Sequence, residues 1–279
     1  MSKYYYLIAG LPEIQPDDAK LSLPLKELKL TLQETLTKKD CAITDLIFQQ
    51  YEAQNWLAFL QNNDVQLHPL GLSSTENFEE VVTLLKETEN PKVKTVPSYF
   101  PTFAYAFWDD KPMFENLSWN DQITALYYKN AIKCKNKFVS RWFEFCLNIN
   151  NLLAAYTCRK HGFDIQSAIV GDNEVAVALR ASNARDFGVG DFFEQADQVL
   201  KIAEETDLLE RERKIDLLKW HWIEEQTVFD YFTIEAVAAY LMKLEIIERW
   251  LPLKKESGAT IFRDLIQSLK GGVEFPASR

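Results

Sequence analysis

The sequence predicts a mostly α, multi-helical fold. Apolar residues recur at intervals of three and four along much of the chain, as they do on one face of a helix. Few segments alternate apolar and polar residues, and no strand–helix–strand rhythm occurs. The 279 residues include only nine glycines, which disfavours glycine-rich sandwiches and nucleotide-binding folds.

Spacing and breaking residues place the individual helices. Ser118 is a predicted cap, Gly162 a predicted end after Arg159 and Lys160, and a break is expected near Asn148. The segments 3–11 and 165–183 remain ambiguous between strand and helix. The predicted helices cover residues 25–36, 44–60, 78–86, 118–158, 191–205, 208–225, 233–251 and 259–269.

The segment 229–251 is the most strongly helical part of the chain. Thr233 is expected to cap it, and Pro252 is expected to end it, because the residue before a proline avoids the helical region. Apolar residues cover so much of its circumference that a buried core helix is predicted. One apolar stripe consists of Ile234, Val237, Leu241 and Leu244.

A proline-rich and aromatic stretch suggests the domain boundary. Residues 90–112 contain four prolines, which break regular structure, but also six aromatic residues, which a free linker would lack. We therefore predict an N-terminal helical lobe over 1–95, an ordered connector over 96–115, and central and C-terminal helical lobes over 116–279.

Composition and charge exclude several classes of partner. The net charge of −10 argues against a nucleic-acid binder and against unaided adhesion to an anionic membrane. No apolar run approaches the roughly 18 residues that a membrane helix needs, so no membrane insertion and a cytoplasmic location are expected. The cysteines are predicted to be reduced core residues: Cys41, Cys134, Cys146 and Cys158.

A weak pattern of an acidic or polar residue, then asparagine, then leucines recurs three times on predicted helices. The copies lie roughly 90 to 100 residues apart, which is too wide for a solenoid but suits three related lobes. They are Glu52-x-x-Asn55-x-Leu57, Asn148-Ile149-x-x-Leu152-Leu153 and Glu245-Ile246-x-Glu248.

Three stretches resemble one known family, the C subunit (also called d) of V-type and archaeal-type rotary ATPases. They are the tyrosine-rich start at Tyr4-Tyr5-Tyr6, the middle stretch NINNLLAAYTCRKHGFD, and a C-terminal signature. The C-terminal matches are Phe232, Thr233, Ile234, Ala239, Tyr240, Leu241, Lys243, Glu245 and Ile246. The chain departs from the family at Tyr231, at Phe145 and at Glu248, where the family has proline, aspartate and asparagine.

The resemblance implies a mechanical role for a divergent bacterial member. Its expected fold is three related helical lobes that form a funnel-like body. Its expected partners are the central-shaft subunits and the membrane ring of ion-carrying subunits, which would hold it at the membrane periphery. The family couples the shaft to the ring without bond chemistry, so neither catalytic residues nor cofactors are expected.

The residues themselves leave other functions open. No zinc-ligand spacing, nucleophile motif or phosphate-binding loop occurs in the sequence. A basic stripe at a spacing of four is either a solvated helix face or a docking strip for an acidic partner, and consists of Lys129, Lys133, Lys137 and Arg141. An all-α adaptor or scaffold unrelated to the rotary ATPase is the alternative, and a helical enzyme is a more distant one.

Overall fold

The computed structural model describes residues 4–18, 20–62, 65–88 and 91–255, with side chains described to Leu251. The described residues contain helices and connecting turns but no strand, which confirms the multi-helical prediction. The helices are α1 (Tyr5–Gly10), α2 (Leu25–Thr35), α3 (Lys38–Gln61), α4 (Thr75–Glu87), α5 (Tyr99–Trp108), α6 (Trp119–Ala131), α7 (Lys137–His161), α8 (Glu174–Ala181), α9 (Ala196–Ala203), α10 (Leu208–Gln226) and α11 (Ile234–Lys255).

The chain divides into two compact units. The terminal unit combines Met1–Leu36 with Trp220–Arg279, and the central unit is the continuous segment Thr37–Lys219. This division does not coincide with the boundary that the sequence suggested near residue 95. Residues 37–95 belong to the same unit as the segment that follows them.

Aromatic side chains form the core of the first half of the central unit. Helix α3 packs against α4, α5 and α6. Trp56 of α3 is fully buried, stacks on Phe100 of α5 at 5.2 Å and meets Phe78 of α4 edge to face at 5.1 Å. The Trp56 indole N–H also donates to the carbonyl of Phe100 at 3.3 Å. The proline-rich stretch therefore contains a helix that is anchored by buried rings.

The prediction of one helix over 118–158 with a break near Asn148 is wrong. Helix α6 ends at Ala131 and α7 begins at Lys137, while Asn148 lies inside α7. Asn136 starts the new helix because its side chain accepts the Val139 N–H at 3.1 Å. Gly162 ends α7 in the left-handed conformation, φ 72°, as predicted.

Helix α7 organises the second half of the central unit by packing against α6, α8 and α9. The ambiguous segment 165–183 contains a 3₁₀ turn at Ile165–Ser167 followed by α8, and the helix expected over 191–205 is limited to α9. The helix expected over 208–225 is confirmed as α10.

In the terminal unit, α11 packs against α2. Thr233 caps α11 as predicted, since its hydroxyl accepts the Ala236 N–H at 3.4 Å. The predicted end at Pro252 is wrong, because α11 continues to Lys255. A proline removes one backbone N–H and disfavours a helical residue before it, but neither effect forbids the next turn. The ambiguous segment 3–11 contains α1, and the helix expected over 259–269 lies outside the described residues.

Candidate docking surfaces and helix anchors

The predicted basic stripe does not lie on one helix. Lys129 is in the last turn of α6, Lys133 follows that helix, and Lys137 and Arg141 are in the first turns of α7. All four side chains are exposed, and the Lys129 ammonium lies 3.8 Å from the carboxylate of Asp172. An exposed ion pair of this kind contributes about 0 to 1 kcal/mol to stability, so it hardly holds the Lys129 side chain in one position.

Instead, the structure shows a recurring device that we call a helix anchor. In a helix anchor, a polar side chain on a long helix holds the chain at or just before the start of another helix. The three anchors coincide with the three copies of the weak sequence pattern.

The first anchor consists of Glu52 and Asn55 on α3. Asn55 holds both backbone groups of His68, accepting its N–H at 2.7 Å and donating to its carbonyl at 3.1 Å. Glu52 is fully buried, and its Oε2 accepts the N–H groups of Leu72 at 2.6 Å and Ser73 at 3.0 Å. Ser74 is the N-cap of α4, so this carboxylate holds the chain immediately before that helix.

The loop of the first anchor approaches α3 so closely that only glycine fits at position 71. A Cβ added to Gly71 would lie 2.2 Å from Asn55 Nδ2 and 3.1 Å from Glu52 Oε2. The second oxygen of Glu52 and the hydroxyl of Tyr99 are buried without a hydrogen-bond partner in the described part of the chain. Burial, and after it the charge of Glu52, raises the pKa of Tyr99 far above its usual value.

The second anchor repeats the first on α7 with Asn148 and Asn151. Asn151 again holds both backbone groups of one loop residue, accepting the Val170 N–H at 2.9 Å and donating to the Val170 carbonyl at 2.7 Å. Three residues earlier on the helix, the Asn148 side-chain oxygen accepts from the amide of Asn173 at 2.8 Å. Asn173 is the N-cap of α8, so the order of contacts matches that of the first anchor.

The third anchor is Glu248 on α11. Its carboxylate accepts the backbone N–H of Leu25, the first residue of α2. Burial raises the pKa of Glu248, and the Leu25 N–H offsets part of that rise. Oε2 of Glu248 is buried without a hydrogen-bond partner among the described residues. Glu248 stands at the position where the rotary ATPase C subunit, which this segment resembles, has asparagine.

Sequence reasoning found Glu52, Asn55, Asn148 and Glu248 as parts of a pattern but did not recognise their role. It missed Asn151, which stood as an unspecified position in the middle copy. The signal that could have found it is the repeated i, i+3 spacing of a polar residue and an asparagine among apolar neighbours on a long helix.

A second feature is an exposed apolar patch on the terminal unit, which we call the aromatic surface. It combines α1 with the turn between α10 and α11, and the rings of Tyr5 and Phe232 join these parts at 4.8 Å. Tyr6 is 84% exposed and Phe229 is 86% exposed. The aromatic surface consists of Tyr5, Tyr6, Val228, Phe229 and Tyr231.

A groove of about 280 Å³ borders the aromatic surface, and we call it the terminal groove. Its walls come from α1, the segment after α1, the turn before α11 and α11 itself. The lining includes Glu13, Asp230, Tyr240 and Lys243. The Tyr240 hydroxyl is buried without a hydrogen-bond partner among the described residues, and burial followed by the charge of Asp18 raises its pKa.

The histidines and cysteines lie in packed or surface positions. His68 stacks on Tyr51 at 4.5 Å, and His221 is exposed on α10. The four cysteines are free thiols, with Cys146 and Cys158 buried and the other two partly buried. Burial raises the pKa of Cys158, which makes this thiol less reactive at neutral pH.

The described residues contain neither a metal-binding cluster nor a membrane-spanning helix. Within the described ranges, no group of three or more His, Cys, Asp or Glu side chains could hold a metal ion. No described helix combines the length and apolarity that crossing a bilayer requires.

Comparison with known proteins yields one match. A family model described as "Protein of unknown function (DUF2764)" matches residues 1–273, so the chain belongs to this family. No curated protein and no solved structure matches the chain.

Proposed function

We propose that this member of the DUF2764 family is a non-catalytic structural subunit of a V-type ATPase or ATP synthase. In this role it couples the central shaft to the membrane ring of ion-carrying subunits, and it is peripheral to the membrane through these protein partners. The observation that carries the proposal is the coincidence of the three helix anchors with the three copies of the sequence pattern.

The anchors support a mechanical role in two ways. They repeat one arrangement of polar side chain, loop and following helix at α3 and α7, which favours the related lobes that the resemblance implies. They also fix loops to buried helices with hydrogen bonds to the backbone. A part that transmits torque needs such stiffness, and close-packed interiors transmit strain well.

Co-purification tests the proposal. The tagged chain is expressed in its native cell, membranes are extracted with mild detergent, and the captured proteins are identified by mass spectrometry. We expect the catalytic, shaft and ring subunits of a V-type ATPase to be recovered together, and deletion of the gene to reduce ATP-driven ion transport. The proposal would be contradicted if the captured proteins include no ATPase subunit and ATP-driven ion transport is unchanged after deletion of the gene.

The alternative is an all-α adaptor outside that machine. The aromatic surface favours this reading equally well, because exposed apolar patches mark interaction sites in many classes of protein. The same capture experiment separates the two functions, since an adaptor is expected to bring down a reproducible partner that is not an ATPase subunit.

A further inference from the structure

We propose that the aromatic surface and the terminal groove together form a docking site for a basic, amphipathic segment of a protein partner. The inference concerns the chemistry of this site and holds whether the partner belongs to a rotary ATPase or to another assembly.

The aromatic surface exposes several large apolar side chains to solvent. Phe229 and Tyr231 lie in the segment between α10 and α11, 86% and 68% exposed, and Tyr6 of α1 is 84% exposed. Aromatic side chains have large apolar areas, and their burial dominates the energetics of many interfaces. A partner that covers them with leucine-like side chains would remove this area from water.

The groove beside the aromatic surface has an acidic edge. Glu13 and Asp230 line the groove, and burial, followed by the charge of Glu235, raises the pKa of Asp230. Lys243 is the only cation among the described residues of the lining. Its ammonium is already engaged, 3.0 Å from a Glu224 carboxylate oxygen and 4.6 Å from the centre of the Trp220 ring. Cations from outside would therefore meet carboxylates that the groove itself does not neutralise.

The same charges disfavour two other occupants. An anionic membrane surface would be repelled by Glu13 and Asp230, because attraction to such lipids requires basic residues. A second copy related by a two-fold axis through the groove would bring the same acidic edge against itself. Like charges that face each other across an interface cost several kcal/mol, roughly, so complementarity selects a basic segment.

A pair of designed peptides tests the site directly. Both form amphipathic helices with leucine on one face, and the other face carries lysine in the first peptide and glutamate in the second. Binding to the full chain is measured by isothermal titration calorimetry at two salt concentrations. We expect the lysine peptide to bind and the glutamate peptide to bind at least about tenfold more weakly.

The apolar contribution is tested by the double variant F229S/Y231S with F192S as its control. Phe192 is a half-exposed aromatic residue of the central unit, so its replacement also removes exposed apolar area. Affinity for the lysine peptide is expected to fall about tenfold or more in the double variant and to stay unchanged in the control. Circular dichroism checks that the variants retain their helices.

The charged contribution is tested by E13Q/D230N with E79Q/E80Q as the control of equal charge. Glu79 and Glu80 are exposed on α4 and are not among the residues that line the groove. We expect weaker binding and a smaller salt dependence only in the groove variant.

Four results would overturn the proposal: no binding of the lysine peptide, equal binding of both peptides, equal losses in E79Q/E80Q, or a self-association that F229S/Y231S abolishes. Equal losses in E79Q/E80Q would mean that the peptide is attracted unspecifically to the acidic chain. Self-association that F229S/Y231S abolishes would mean that a second copy covers the aromatic surface. None of these results depends on the presence of an ATPase, so failure of the proposed function leaves this test intact.

Discussion

Single polar side chains hold the loops of the central unit in place. Asn55 and Asn151 each satisfy the N–H and the carbonyl of one loop residue with one amide group. Because an amide offers a donor and an acceptor side by side, it can replace the two bonds of a peptide group. A buried backbone group without a partner is costly, so loss of such a side chain affects the whole loop.

Replacement of Asn55 by alanine should therefore destabilise the protein. It removes the acceptor of the His68 N–H and one of the two donors to the His68 carbonyl, which also accepts the Gly71 N–H. We expect a loss of about 1 to 3 kcal/mol in the free energy of unfolding. Urea unfolding followed by circular dichroism measures it. The neighbouring exposed Gln54 provides the control, and Q54A is expected to stay within about 0.5 kcal/mol. Equal values for the two variants would contradict the role of Asn55.

Replacement of Gly71 by alanine is also expected to destabilise. Its Cβ would lie 2.2 Å from Asn55 Nδ2, a clash that forces the loop or Asn55 to move, at a cost of about 1 to 3 kcal/mol. Gly190, which has no atom within 4 Å of an added Cβ, is the control for the same chemical change. The double variant N55A/G71A should lose less stability than the sum of the single variants, because N55A removes the nearest clashing atom. Strict additivity in this cycle would show that the clash lies elsewhere.

Glu248 predicts a dependence of stability on pH. Burial raises the pKa of its carboxyl above the unfolded value, so the folded protein binds this proton more tightly than the unfolded chain. The carboxyl therefore destabilises the fold as pH rises through the unfolded value of about 4.3 toward the folded pKa. E248Q keeps an oxygen for the Leu25 N–H but has no charge. We expect E248Q to be more stable than the parent at neutral pH and the difference to close below about pH 4. An equal difference at both pH values in urea titrations would contradict the assignment.

At the scale of elements, caps decided where helices begin. The sequence predicted a continuous helix through residues 132–136, but Asn136 caps a new one and Ser140 donates its hydroxyl to the Ile132 carbonyl at 2.5 Å. These two bonds satisfy backbone groups that a break would otherwise leave without partners.

The cap at Asn136 yields a prediction for α7. Asn136→Ala removes the acceptor of the Val139 N–H and should cost about 1 kcal/mol of stability. N120A, which changes an exposed asparagine inside the first turn of α6, is the control and should have little effect. Thermal unfolding monitored by circular dichroism compares the two. A larger effect of N120A than of N136A would be inconsistent with the cap.

At the scale of the whole molecule, chain connectivity separates the two units. The central unit is one continuous segment, while the terminal unit needs both ends of the chain. A fragment of residues 37–226, which keeps α10 intact, should therefore retain helical circular dichroism and unfold cooperatively. A fragment of residues 37–161 is the control, because it separates α7 from α8 and α9, and we expect it to lose cooperativity. If the fragment of residues 37–226 remains unfolded, the central unit depends on the rest of the chain.

The helical class, most helices and the buried character of α11 could be predicted from the sequence alone, because apolar periodicity and caps act between residues close in the chain. The sequence also located four of the five anchor residues as a pattern. Only the tertiary structure decided what the pattern does, since Asn55 and Asn151 bind loop residues that follow them by 13 and 19 positions. It likewise decided the pairing of both chain ends in one unit and the joining of α1 to the turn before α11, because contacts between distant segments leave no periodic trace in the chain.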